Sequence, residues 1–214
     1  MTNKTRPIIL ASTSPYRREL LTRLRIPFTQ RDPTCDESAY RHMAPVEMAR
    51  ALAEAKARVA ARPAEYALII GSDQVLALGD RILGKPGNTT QAIEQLMALQ
   101  GRTHALITAV ALLESPQNIC HVAVDVHTMT MHPWTREQLV RYVALDNPED
   151  CAGAYKLESR GIALFSHIDA EPGAADDTAI VGLPLLKLLG LFRQAGVEIL
   201  DLNPTDKAVD SPLH

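Results

Sequence analysis

The sequence predicts an α/β protein built on a mixed β-sheet. Three observations lead there. Apolar runs of strand length and amphipathic runs of helix length both recur along the 214 residues. They do so without strict strand–helix alternation. Two long strand-like runs, "THALITAVALLES" and "NICHVAVDVHTMTMH", are joined only by "SPQN". A connection that short makes an antiparallel pair, which argues against a wholly parallel, doubly wound sheet.

The elements follow in order. Ile8 to Ala11 read as a short buried strand. Ser14 caps the next helix, with Pro15 at its first position, where a missing N–H costs little. Leu20, Leu21 and Leu24 give that helix its buried face. "IPFTQRD" returns as a strand and "PTCDESAYRHMA" is a polar loop. Pro45 opens the clearest helix, "PVEMARALAEAKARVAARP", with apolar positions at Val46, Ala49, Leu52, Ala53 and Ala57 and its end at Pro63. "YALIIGSDQVLAL" is a strand that runs into a polar break at Gly71, Ser72 and Asp73. A turn at Gly79 and Asp80 leads into "RILGKP". In "NTTQAIEQLMALQG", Asn88 and Gln91 are placed for a capping box and Gly101 stops the helix. On the second hairpin strand, Val122, Val124 and Val126 alternate with His121, Asp125 and His127, and the histidines read as surface or sheet-face residues. "TREQLVRYVALD" is a helix boxed by Thr135 and Gln138, "DNPEDCAGAYKLESRG" a loop and "GIALF" a strand. "GLPLLKLLGLFRQAG" is an apolar helix closed by Gly196. "NPTDKAVDSPLH" reads as a frayed tail. With no repeat or linker, residues 1–204 are expected to form a single domain and 205–214 a disordered tail.

Bulk numbers narrow the function. A hydrophobic share of 46% with 22% charged residues describes a globular chain with a real core. The net charge of −3 supplies no global field for nucleic acid, so a polyanionic ligand needs a local basic pocket. Cys35, Cys120 and Cys151 are far apart, form no zinc spacing and, as an odd sparse set, fit a reducing compartment. "PIIL" is too short for a signal or membrane segment, so the expectation is a cytoplasmic protein without a membrane partner.

Several residues are candidates for chemistry. "GDRILGKP" fits the start of a phosphate loop, but Pro86 stands where a magnesium-ligating hydroxyl belongs, so Lys85 is left as a point charge for phosphate. Asp73 follows an apolar strand, a position open both to function and to an Asx-turn. Lys56, four residues after Leu52, reads by itself as a lysine snorkelling from a helix edge. The histidines are scattered, so general-base work falls to a carboxylate. At "STSPYRRELL", the helix N-terminus and Arg17 together suit phosphate.

In order, "LASTSPYRRELL", "DES", "LAEAKA", "GSDQV", "GKP", "CAGAYKLESRG" and "VGLPL" resemble the Maf family of nucleotide pyrophosphatases, from Leu10 to about Leu186. The resemblance implies an elongated mixed sheet with two lobes flanking a central cleft, similar to inosine triphosphatases. It implies hydrolysis of a nucleoside triphosphate to the monophosphate and pyrophosphate with a divalent cation, Mg2+ or Mn2+. Asp73 matches the general base. Ser12, Arg17, Lys56 and Lys85 match the phosphate-binding residues, which reverses the bland reading of Lys56. Glu37 matches an acidic metal partner beside Asp73. A homodimer is compatible with the family.

The branch is implied by three departures from the dTTP/UTP-hydrolysing pattern. Tyr16, Gln74 and Glu158 stand where that branch has Arg, Thr and Gln, and resemble the 7-methyl-GTP branch instead. N7-methylation makes guanine a cation, which an aromatic face and a carboxylate attract and an arginine repels. Two alternatives are a dTTP/UTP pyrophosphatase of the same family and a non-hydrolysing nucleotide-binding regulator of cell division. A single-stranded RNA module is disfavoured by 4% aromatic content and the negative charge.

Overall fold

The computed structural model describes residues 6–170 and 176–202, so the expected tail lies outside the described residues. Seven strands form one mixed sheet in the order β2-β1-β3-β5-β6-β7, with β4 pairing β3 off this path. Chain order begins β1 (Ile8–Ala11), α1 (Pro15–Thr22), β2 (Thr29–Arg31), α2 (Pro45–Ala60), β3 (Ala67–Leu78), β4 (Arg81–Leu83) and α3 (Thr89–Leu99). It continues β5 (Thr103–Ser115), β6 (Ile119–Met131), α4 (Arg136–Asp146), β7 (Phe165–Ala170), α5 (Asp177–Val181) and α6 (Leu185–Gln194). β1 is parallel to β2 and β3, and the other pairings are antiparallel.

β3 organises the molecule. On one edge it pairs with β5 from Ala67 to Ala77. On the other, β1 covers Leu68 to Gly71 and β4 covers Leu76 to Leu78, leaving Ser72 to Val75 without a strand. The cleft opens at this gap. Alternation sends Asp73 to one face of the sheet and Ser72 and Gln74 to the other. The first face carries Ala67, Ile69, Val75 and Ala77 under α2. On the second, Leu68 and Ile70 join a core with α1 and α6, and Leu76 and Leu78 join another with α3 and α4. Ser72 and Gln74 lie between those two cores.

The polar break expected at residues 71–73 does not occur; β3 runs through it. The ladder continues as Gly71↔Ala111, Ser72↔Val110 and Asp73↔Ala109. The polar side chains are satisfied without a turn: the Ser72 hydroxyl is shared between Ala109 O and Gly182 O, and Asp73 meets Lys56. Gly71 serves close packing instead, since a Cβ there would lie 2.1 Å from Ala53 O and 2.8 Å from Ala57 N of α2.

Local chemistry explains most boundaries. Ser14 accepts from Arg17 N–H at the start of α1, and Thr135 and Gln138 form the full capping box of α4. Asn88 accepts from Gln91 N–H, but among the described residues the reciprocal bond of a box is absent. Val46 is exposed, because it sits in the first turn of α2 beyond the alanine stripe, and Leu24 is only partly buried. "GIALF" is not a strand: Arg160 to Leu164 form a 3₁₀ turn and β7 starts at Phe165. His127 is buried rather than superficial, its Nδ1 2.9 Å from Asp125 Oδ1. α5 carries no helical periodicity in the sequence and is set by Asp176, whose side chain accepts from Thr178 N–H.

Candidate active site

A cleft of about 620 Å³ opens along the uncovered edge of β3. All the sequence candidates line it: Ser12, Tyr16 and Arg17 from the β1–α1 turn, Glu37, Lys56 from α2, Asp73 and Gln74 from β3, Lys85 after β4, and Glu158.

The alanines of α2 decide where Lys56 goes. Ala49, Ala53, Ala57 and Ala60 are buried with at most 2% exposure, so the helix backbone rests directly on β3. That approach seals the Lys56 stem and carries its ammonium to the carboxylate below. Lys56 Nζ lies 2.6 Å from Asp73 Oδ1 and 2.7 Å from Glu37 Oε1. Burial raises the Asp73 carboxyl above the usual carboxylate range, against Lys56 and Arg17, which pull it down. A carboxylate so balanced sits closer to working pH than a free one, as a general base requires.

Arg17 is held from behind. Its Nε donates to Gly182 O at 2.9 Å, and the same carbonyl accepts from Ser72 Oγ at 2.9 Å. Gly182 adopts φ +121°, a conformation that side chains rarely take, so the carbonyl can turn toward both donors. Burial lowers the Arg17 pKa, and Asp73 and Glu37 oppose that. The guanidinium nonetheless remains cationic. Ser12 is buried and its Oγ accepts from Ser14 N–H. Lys85 is exposed and makes no ion pair among the described residues.

Gln74 is oriented by its amide nitrogen, whose two N–H groups are shared among Thr108 Oγ1, Ala179 O and Ile180 O at 2.9–3.1 Å. Its Oε1 has no hydrogen bond among the described residues, so Gln74 offers the cleft an acceptor. Glu158 is exposed on the cleft rim. Tyr16 spans the mouth: its hydroxyl donates to Asp150 Oδ2 at 3.2 Å. Burial pushes the Tyr16 phenol up to about 12, with Lys156 opposing. Arg18 is exposed.

Sequence reasoning missed Asp150, Lys156 and Cys35, all placed in or beside this cleft. The first two lie in the loop from which only Glu158 had been singled out. Lys156 is two residues before Glu158, but it opens a turn in which its carbonyl accepts from Ser159 N–H at 3.1 Å, so strand spacing gives no signal for it. Burial raises the Cys35 thiol pKa against nearby Lys56, so it is not an activated thiolate.

The donor set fits a hard divalent cation. Glu37 and Asp73 converge on one ammonium through one oxygen each, and each keeps an oxygen without a protein hydrogen bond among the described residues. Among the described residues no group of three or more His, Cys, Asp or Glu stands together for a metal. Two carboxylates completed by substrate oxygens and water are what Mg2+ accepts. No helix among the described residues is long and apolar enough to cross a membrane.

Fold and cleft thus define a mixed-sheet α/β protein whose cleft offers three basic side chains, Arg17, Lys56 and Lys85, to a phosphorylated ligand among five carboxylates. A family model described as Maf-like protein matches residues 7–195, and the chain belongs to the Maf family. It is 42% identical over 193 residues to the 7-methyl-GTP pyrophosphatase of Pseudomonas putida, covering 90% of this chain and 98% of that one. The protein of the same name from Bdellovibrio bacteriovorus is 43% identical over 192 residues, 89% of this chain and 97% of the relative. The one from Idiomarina loihiensis is 40% identical over 199 residues, 92% and 98%.

Proposed function

We propose that this protein hydrolyses 7-methyl-GTP to 7-methyl-GMP and pyrophosphate, acting in the cytoplasm on a small nucleotide. The observation that carries the reading is that Tyr16, Gln74 and Glu158 line the same cleft as Asp73, Lys56, Arg17 and Lys85. One group of residues suits a cationic purine and the other a triphosphate. Near-full-length similarity to enzymes of that name supports it.

In the proposed reaction, water attacks the α-phosphorus, the bond from it to the bridging oxygen breaks, and pyrophosphate leaves. Asp73 orients the water and takes its proton. Lys56 shares the Asp73 carboxylate and keeps it anionic enough to do so. Arg17, held by Gly182 O, and Lys85 stabilise charge on the departing pyrophosphate. Ser12 binds the phosphate chain at the start of α1. Glu37 and Asp73 would hold a divalent cation, Mg2+ or Mn2+, which would supply positive charge to the phosphate chain. Gln74 Oε1 accepts from the guanine N–H edge, Tyr16 gives an aromatic face and Glu158 a negative charge.

The test is product identity by phosphorus NMR. The mechanism predicts 7-methyl-GMP and pyrophosphate in equal amounts. Release of 7-methyl-GDP and inorganic phosphate would place the attack at the wrong phosphorus and reject it.

A further inference from the structure

At the mouth of the cleft, Asp150 collects three neighbours. Tyr16 Oη donates to its Oδ2 at 3.2 Å. Lys156 Nζ lies 3.4 Å from Oδ1, and Cys151 Sγ is also 3.4 Å from Oδ1. Lys156 Nζ sits over the Tyr16 ring, 5.7 Å from its centroid. The ammonium thus rests against an aromatic face and a carboxylate at once, the two surroundings a cationic base seeks.

The arrangement is anchored. Lys156 N–H donates to Tyr142 Oη at 2.9 Å, and Lys156 O accepts from Gly161 N–H at 2.9 Å. Gly161 allows that approach, since a Cβ there would stand 2.3 Å from Lys156 O. The Lys156 side chain is 18% exposed and that of Asp150 53% exposed, so the pair lies between cleft wall and solvent. Burial raises the Asp150 carboxyl, but Cys151, Lys156 and Tyr16 together bring it below its usual value, so it is charged at neutral pH.

We infer that Lys156 is an internal stand-in for the cationic base, and that Asp150 and Lys156 are a specificity-determining pair. Without substrate, the ammonium fills the place over Tyr16 and neutralises Asp150. A 7-methylguanine ring brings its own positive charge, displaces the ammonium from the ring and keeps Asp150 compensated. A neutral guanine displacing the same ammonium leaves Asp150 without that charge. The pair therefore favours the methylated base beyond the contribution of Glu158. This rests on the proposed base preference.

The two residues act with opposite sign. Lys156→Met removes the competing ammonium and frees Asp150 for the substrate's charge. Asp150→Asn removes the counter-charge and leaves the ammonium to repel a cationic base. The readout is the ratio of kcat/KM for 7-methyl-GTP over GTP, by pyrophosphate release. A ratio cancels any difference in active fraction between preparations. In this half-solvated setting each variant should move the ratio about fivefold, up for Lys156→Met and down for Asp150→Asn, with the double variant between them. If Lys156 instead contacts the triphosphate, Lys156→Met lowers both kcat/KM values together, the ratio stays put and the inference is overturned. Shifts of both single variants in the same direction overturn it as well. The underlying base preference is read from the unmutated protein alone, so its failure is distinguishable: that protein would then not favour 7-methyl-GTP over GTP.

Discussion

Lys56→Met isolates the charge at the floor of the cleft, because methionine keeps most of the apolar stem of this buried side chain. The Lys56 and Asp73 side chains are each 10% exposed and their polar atoms are 2.6 Å apart. Removing one partner of a buried pair costs about 3–5 kcal/mol. Two features reduce that. Arg17 still acts on Asp73, and Glu37, the other partner of Lys56, is 54% exposed and keeps water. The lower end, about 3 kcal/mol, is therefore expected. For a chain of this size that lowers the melting temperature by about 6–12 °C.

The pH dependence of this loss has a definite sign. Burial holds the folded-state pKa of Asp73 above its unfolded value even with Lys56 present. The stability this group contributes is present below the unfolded value and is lost as pH rises through the folded one. Without Lys56 the raising effect of burial meets only Arg17, so the loss deepens on the alkaline side. Thermal unfolding of both proteins should show the widest gap at pH 8, narrowing steadily as Asp73 takes up its proton. A gap that stays constant or grows toward low pH would mean that packing, not charge, is what Lys56 supplies.

Gly71→Ala places a methyl group against the α2 backbone at Ala53 and Ala57; it should cost at least about 2 kcal/mol in a chemical-denaturation measurement and lower turnover by moving Lys56. Burial pushes the His104 imidazole down to about 4, so its NMR titration should be flat above about pH 5.5. Its stabilising contribution of about 3 kcal/mol is present above the usual 6.5 and disappears as pH falls toward 4. Glu158→Gln should shift kcat/KM away from 7-methyl-GTP toward GTP, measured by pyrophosphate release; an unchanged preference removes Glu158 from base choice.

What was legible in the sequence was local. The cap at Ser14, the box at Thr135 and the antiparallel pairing of β5 with β6 across its short connection depend on neighbouring residues, and they formed as read. What was not legible depends on partners far along the chain. Asp73 looked like a strand-end residue because Gly71 and Ser72 resemble a turn. It lies within β3, and it faces a cleft because β1 stops at Ala11, opposite Gly71, and β4 ends at Leu83, opposite Leu76. Lys56 looked like a snorkelling lysine until the alanine stripe brought α2 down on β3. The whole candidate set lines one cleft, yet spacing alone could not show that Gln74 spends its amide nitrogen on α5 carbonyls or that Asp150 and Lys156 meet over Tyr16.

The cleft's preference for a cationic purine is the property on which the proposed pyrophosphatase activity turns. Its most direct test is kcat/KM for pyrophosphate release from 7-methyl-GTP, GTP, UTP and dTTP, each with Mg2+ and with Mn2+. The highest value is expected for 7-methyl-GTP with either metal. Faster turnover of UTP or dTTP would contradict the roles given to Tyr16, Gln74 and Glu158.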